Sequence, residues 1–185
     1  VPSLVFLDKP YPENLPVVPA CRECNEGFSL DEEYLACLVD CVLAGKVSPE
    51  AASREKVRRI LAAKPALAQR VAQAREEAGD QTYFGIESLR VRNVILKLAR
   101  GHARYEFGEP QLDTPTATGV SPLPVLDASA REEFEVLGKQ SLWPEMGSRS
   151  MQRWVQAQGP GWLVVQPDRY RYVVLPGVEV RIVLS

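Results

Sequence analysis

The chain has 185 residues, of which 45% are hydrophobic and 25% are charged, and its formal net charge is −2. These values are ordinary for a globular protein with a real core, and they give no support by themselves for binding to nucleic acid. No apolar run approaches the roughly 20 residues needed to cross a bilayer, and no secretion signal is visible. We therefore expect a cytoplasmic protein without a membrane partner.

The charge is distributed unevenly along the chain. Residues 54–104 carry twelve Lys/Arg against five Asp/Glu, whereas residues 1–53 carry three against nine. A basic middle segment could face phosphate groups. The alternative is that these charges form a solvated helix surface.

The first 45 residues predict a short strand, an extended segment and a helix. The apolar run over residues 4–7 indicates a strand, which ends before Pro10 because proline cannot donate to a ladder. Ser29 and Glu32 have the spacing of a capping box and predict a helix start, and Gly45 predicts the end of that helix.

Further helices are predicted over the basic segment. The Ser48-Pro49 pair is typical of a helix start, and apolar residues continue at helical spacing as far as Ala78. Residues 81–86 predict a loop or a short strand. Residues 88–100 form the clearest amphipathic helix, and Gly101 is its expected C-terminal cap.

The last third of the chain predicts a Pro-rich loop, two short helices and a meander. The loop covers residues 108–124, the helices cover 128–137 and 148–156, and three strands lie within 162–184 with turn signals between them. The predicted fold class is therefore α+β. We expect an N-terminal segment over residues 1–45 and a second region over 46–185.

All four cysteines lie in one quarter of the chain, at Cys21, Cys24, Cys37 and Cys41. Two tight pairs in a chain expected to be cytoplasmic indicate metal ligands or reduced thiols. The array C-x2-C-x12-C-x3-C is compatible with a structural zinc site of four thiolates. The alternative is that Cys37 and Cys41, which share one helix face, are small buried hydrophobes.

Residues 14–25 carry the most informative pattern, Asn-Leu followed after a short spacer by Cys-Arg-Glu-Cys-Asn. This segment resembles the second half of the HNH (ββα-metal) nuclease motif with its C-x2-C zinc knuckle. The resemblance implies a β-hairpin and a helix around one divalent metal, such as Mg²⁺, which stabilises charge on the scissile phosphate of DNA or RNA.

The resemblance also implies a role for individual residues. Asn14 matches the asparagine that braces the loop holding the general base, and Asn25 matches the residue that helps to hold the catalytic metal. Cys21 and Cys24 match ligands of a structural zinc ion. With a zinc-stapled core, the segment over residues 1–45 would form an HNH or treble-clef-like hairpin and helix.

The family's catalytic histidine has no match in this chain, because its position falls at or before Val1. We expect that the chain starts just downstream of this base and is truncated there. His102 is the only histidine, at the end of a helix in the basic segment, and a surface or capping role is expected for it.

Four basic side chains of the amphipathic helix are the expected contacts to nucleic acid: Arg90, Lys97, Arg100 and Arg104. Such contacts should weaken steeply with salt. The alternative function is a non-catalytic, zinc-stapled module that binds nucleic acid or protein, which fits the absent base directly. A redox role of the cysteine pairs is a third, weaker hypothesis.

Overall fold

The computed structural model describes residues 1–138 and 140–185, and the side chain of Cys24 lies outside the described part. Its helices are α1 (Arg22–Gly27), α2 (Ser29–Ala44), α3 (Glu55–Ala63), α4 (Pro65–Gln73), α5 (Ser88–Phe107), α6 (Ala128–Glu135) and α7 (Arg149–Ala157). Its strands are β1 (Arg75–Ala78), β2 (Gln81–Phe84), β3 (Leu163–Gln166), β4 (Tyr170–Leu175) and β5 (Glu179–Leu184). The predicted α+β class is confirmed.

The strands form two separate antiparallel sheets. β1 and β2 make a hairpin, and β3, β4 and β5 make a three-stranded meander in that order. The predicted C-terminal meander is therefore confirmed. Its central strand β4 is buried along most of its length, since it pairs with a strand on each side and packs against helices.

The N-terminal hairpin predicted within residues 1–45 is wrong. Leu4–Phe6 form a 3₁₀ turn, and no residue of this fully described backbone segment lies in a strand. Prolines at positions 10, 12, 16 and 19 remove the N–H donors that a two-stranded ladder needs. The side chain of Phe6 is buried in the core instead.

The helix predicted after Ser29 is confirmed as α2, and Gly45 ends it in the left-handed conformation with φ 64°. The predicted capping box is wrong, because Phe28 occupies the N-cap position and no side chain caps the helix. The Glu32 side chain instead accepts hydrogen bonds from Ser3 and Lys97. The Glu32 carboxylate thus binds residues distant in sequence and does not cap its own helix.

Two predicted helix boundaries in the basic segment are wrong. The Ser48-Pro49 pair lies in a turn, and α3 begins only at Glu55. Residues 75–78, which continue the helical spacing, form strand β1. Gly79, with φ 62°, and Asp80 provide a two-residue turn that joins β1 to β2. Residues 81–86 were predicted as a loop or a short strand, and the structure has strand β2 there.

The long helix α5 does not end at Gly101 as predicted. Gly101 lies in its interior, and the helix ends at Gly108, which has φ 87°. A Cβ atom at Gly101 would lie 2.7 Å from the methyl groups of Val1. The glycine therefore makes room for the first residue of the chain, and it does not mark a helix end.

The two short helices predicted near the C-terminus are confirmed as α6 and α7. Asp127 caps α6 by accepting from the Ala130 N–H at 2.8 Å, and Ser148 caps α7 by accepting from the Met151 N–H at 3.0 Å. Within the described ranges, none of the helices is long and apolar enough to cross a membrane.

One hydrophobic core contains residues from both the 1–45 and the 46–185 region. The boundary expected at residue 45 stays a prediction. The buried members of the core come from the Leu4–Phe6 turn, α2, α3, α4, α5 and β4. The start of the chain is tied to the meander as well. The Asp8 N–H donates to Gln166 Oε1 at 2.8 Å, and Gln166 Nε2 donates to the Asp8 carbonyl at 2.9 Å.

Candidate functional site

The residues of the HNH-like segment lie on the surface around the start of α1. Asn14 lies in an exposed turn, Cys21 is exposed immediately before α1, and Asn25 is exposed within it. The Asn25 N–H donates to the Cys21 carbonyl at 3.0 Å, so the helical turn fixes the backbone between them. The side chains of Asn14, Cys21 and Asn25 are thus exposed to solvent.

Val1 lies directly beside this segment. Its ammonium nitrogen donates to the Pro16 carbonyl oxygen at 3.0 Å, and its side chain packs on Gly101 of α5. Burial lowers the pKa of the ammonium group, and the nearby Lys97 charge lowers it further. The backbone nitrogen of Val1 is therefore held against the carbonyl group of Pro16, which lies two residues after Asn14 in sequence.

Cys37 and Cys41 lie in the hydrophobic core on the inner face of α2, with exposures of 0% and 1%. Burial raises the pKa of Cys37 to about 12 and that of Cys41 to about 11. Zinc is bound by thiolates, which this environment disfavours. The placement of these two thiols thus favours the buried-hydrophobe alternative.

Among the residues whose side chains are described, no three or more His, Cys, Asp or Glu residues form a group that could hold a metal ion. The Cys24 side chain lies outside that set. The four-cysteine zinc site and the catalytic metal site therefore stay predictions.

The basic residues of α5 are largely engaged with other parts of the chain. Arg90 Nε lies 3.0 Å from Glu87 and 3.6 Å from Asp31, and Lys97 pairs with Glu32. Glu87 and the acidic first turn of α2 thus neutralise two of the four cations that were expected to contact phosphate.

The remaining two basic residues lie nearer the C-terminal end of α5. Arg100 donates to the carbonyls of Leu112 and Asp113 at 3.1 and 3.2 Å. Arg104 is half-buried. Their role in binding nucleic acid stays a prediction.

His102 is fully buried, so the expected surface or capping role is wrong. Its Nε2 atom lies 2.7 Å from the Tyr170 hydroxyl, and its ring stacks on Tyr172 at a centroid distance of 3.7 Å. Burial, reinforced by the Val1 ammonium, lowers the pKa of His102 to about 3. The imidazole is therefore neutral at physiological pH.

A polar network extends from Tyr172 to α7. The Tyr172 hydroxyl donates to Glu106 Oε1 at 2.6 Å, and Arg153 of α7 pairs with the same carboxylate. Burial and the Glu106 charge raise the pKa of Tyr172. This network links α5, β4 and α7 through Glu106, Tyr172 and Arg153.

The sequence contained a signal for part of this network. His102 and Glu106 are four residues apart on α5, so they share a face, and Tyr170 and Tyr172 alternate on β4 and point to one side of the sheet. Such alternation is typical of side chains that pack in a core, and both tyrosines are buried. What the pattern could not reveal is that this side of the sheet meets α5.

No family model, curated protein or solved structure matches this chain.

Proposed function

We propose that residues 14–25 are part of an HNH-type, metal-dependent nuclease site that hydrolyses phosphodiester bonds of DNA or RNA. The observation that carries the proposal is the hydrogen bond from the Val1 nitrogen to the Pro16 carbonyl at 3.0 Å. A histidine directly before Val1 would lie next to the loop of Asn14, which is where the resemblance requires the general base.

The remaining roles follow the order of residues in the segment. Asn14 would brace the loop that carries the base, and Asn25 would help to hold the catalytic divalent metal. Cys21 and Cys24 would supply two thiolates to a structural zinc ion, which takes four ligands. Cys37 and Cys41 do not fit as the other two zinc ligands, because both thiols are buried in the core.

A second function is a zinc-stapled module that binds nucleic acid or protein without hydrolysis. One observation favours it: His102, the only histidine of these 185 residues, is buried against Tyr170 and Tyr172. A general base must reach a substrate water within hydrogen-bond distance, and this imidazole does not reach solvent.

The coding sequence upstream of the Val1 codon is the first test. The nuclease proposal requires an encoded histidine within about ten residues before Val1, because the base must reach the loop of Asn14. An upstream sequence without a histidine, or an in-frame start codon directly at this point, would leave the binding module as the function.

The second test is cleavage of labelled DNA and RNA with Mg²⁺ or Mn²⁺. The chain extended by its own upstream residues should cleave, and both the His→Ala change in that extension and Asn14→Ala should lower the rate by at least about 100-fold. Gln156→Ala, at an exposed amide side chain of α7, is the matched control. Loss of activity in the control as well would contradict the assigned roles.

Zinc content and thiol reactivity complete the test. If Cys21 and Cys24 bind zinc, elemental analysis should find about one zinc per chain and Cys21 should be protected from an aromatic disulfide reagent. Cys37 and Cys41 should react only after unfolding in either case, because they are buried in the core. Rapid reaction of Cys37 in the native protein would contradict the structure.

A further inference from the structure

We propose that a cleft between α2 and α3, lined by Lys56, Arg59 and Lys64, binds a phosphate group of a nucleic-acid backbone. The inference rests on the proposed nuclease function and names a substrate contact for it. It moves the expected phosphate-binding surface from α5 to α3, another helix of the basic segment over residues 54–104.

The cleft is open to solvent and adjoins the HNH-like segment. It has a volume of about 420 Å³, and Ser29, the first residue of α2, forms part of its wall. Ser29 lies only four residues after Asn25. A strand held in the cleft would therefore pass close to the start of α1.

Lys56 carries a charge that no carboxylate neutralises among the described residues. Its Nζ atom donates to the Leu4 carbonyl at 2.8 Å and to the Tyr11 hydroxyl at 3.1 Å. Both partners are uncharged acceptors. They hold the ammonium group in place and leave its positive charge available to an anion.

Arg59 is the most accessible cation of the cleft. Its side chain is 70% exposed and lies 3.6 Å from Glu55, which is itself 68% exposed. An ion pair with this geometry and exposure contributes little. The guanidinium is thus free to exchange Glu55 for a phosphate, which it can bind through two parallel hydrogen bonds.

The two carboxylates in the cleft are already occupied. Glu33 pairs with Lys64, and Glu32 pairs with Lys97 from α5, so neither leaves an unbalanced negative charge. By contrast, the cations of α5 lie close to their acids: the side chains of Lys97 and Arg90 are only 20% and 29% exposed. Lys56 and Arg59 are therefore more available to an anion than Arg90 and Lys97 of α5 are.

The test is the affinity of the 185-residue chain for a short fluorescent oligothymidylate, measured by anisotropy between about 50 and about 200 mM salt. Arg59→Gln should weaken binding about fivefold and reduce the slope of log K against log salt by about 0.7, the value for one phosphate contact on a single strand. Glu33→Gln should have the opposite effect, because it releases Lys64 toward the cleft.

Arg92→Gln is the matched control, since Arg92 is an exposed cation on α5 that does not line the cleft. It should leave the affinity and the slope unchanged. Equal losses in Arg59→Gln and Arg92→Gln would overturn the proposal, since they would show diffuse attraction in place of a site. An unchanged or weaker affinity in Glu33→Gln would overturn it too.

Competition with inorganic phosphate distinguishes a site for the free phosphate ion from a site for a phosphate group of a nucleic-acid backbone. Competition by millimolar phosphate that depends on Arg59 would show a site for the free ion and would overturn the backbone assignment; weak competition supports it. The cleavage assay is independent of these measurements. Arg59-dependent binding without cleavage would retain the cleft and reject the nuclease, and cleavage without Arg59-dependent binding would do the reverse.

Discussion

The environment of His102 shows how one buried residue links folding to pH. The imidazole is 0% exposed, packs between Tyr170 and Tyr172, and has its pKa lowered from 6.5 to about 3 by burial. Its Nδ1 atom has no hydrogen-bond partner in the described part of the chain. Protonation would place a charge among buried groups that cannot solvate it.

Stability should therefore decrease as the pH falls below about 6.5. Between pH 6.5 and about 3, the unfolded chain binds a proton at His102 that the folded chain does not, so the free energy of unfolding rises with pH in this window. The slope reaches about 1.4 kcal/mol per pH unit. Urea unfolding at pH 6.5 and pH 5 measures it.

His102→Gln provides the control for this pH dependence. The variant removes the only histidine, so whatever its absolute stability, the change between pH 6.5 and pH 5 should become smaller than in the parent chain. An identical pH dependence in the two proteins would show that His102 titrates normally and contradict its burial.

At the scale of elements, local signals in the sequence were sufficient where the end of an element depends on its own residues. Gly45 ends α2 as its pattern predicted, and the two short helices predicted near the C-terminus are capped by Asp127 and Ser148, the residues directly before them. The signals failed where a distant residue takes part. The sequence around Gly101 predicted a helix end, because a glycine often ends a helix and the neighbouring residues give no sign of its contact with Val1, a hundred positions away.

For the candidate site, the sequence could predict which residues lie on one segment, but not which cations are accessible. The pattern around Asn14 and Asn25 placed these residues on one short segment, and the structure shows them exposed. Whether a cation is available depends on partners from other helices. Lys97 pairs with Glu32 of α2 and is only 20% exposed, whereas Arg59 lies beside Glu55 and stays 70% exposed.

The buried ion pair of Asp40 and Arg54 joins α2 to the start of α3 and to the N-terminal turn. Arg54 Nε lies 3.5 Å from Asp40, and its two terminal nitrogens donate to the carbonyls of Val5 and Ala36, each at 3.1 Å. Ser53 Oγ also donates to Asp40 at 2.7 Å. One guanidinium thus connects three segments.

Asp40→Ala should lower the free energy of unfolding by about 3–5 kcal/mol, because Arg54 is left buried without a counter-charge. Glu26→Ala is the matched control. It breaks the exposed Arg22–Glu26 pair, whose atoms lie 2.7 Å apart, and should cost less than about 1 kcal/mol. Denaturant unfolding measures both, and similar small losses would contradict the role of the buried pair.

At the scale of the whole molecule, α5 connects the N-terminal helices to the meander. Val91, Val94 and Leu98 are buried in the core shared with α2, while Phe107 and Glu106 lie toward α7 and β4. The Val1–Pro16 contact is built on this helix through Gly101. The geometry of the candidate site therefore depends on α5 remaining docked at both ends.

The β1–β2 hairpin stands apart from this framework. Within the described residues, its strands pair only with each other, and β1 is exposed from Glu76 to Ala78 and β2 from Gln81 to Tyr83. A two-stranded hairpin with so little buried surface has marginal stability of its own. By contrast, β4 is the central strand of the meander and is buried at five of its six positions.

Amide hydrogen exchange should therefore separate these two parts of the molecule. The amides of β1 and β2 should exchange by local opening, with rates that change little at low denaturant concentrations. Those of β4 and the centre of α5 should exchange only through global unfolding and should accelerate with denaturant. Equal protection of the hairpin and β4 would mean that the hairpin is part of the cooperative core. Asp40→Ala distinguishes the two cases. If the hairpin opens locally, this variant should accelerate exchange in β4 and leave exchange in the hairpin unchanged. If the hairpin belongs to the cooperative core, the amides of β1, β2 and β4 should lose their protection together, because all would report one global transition.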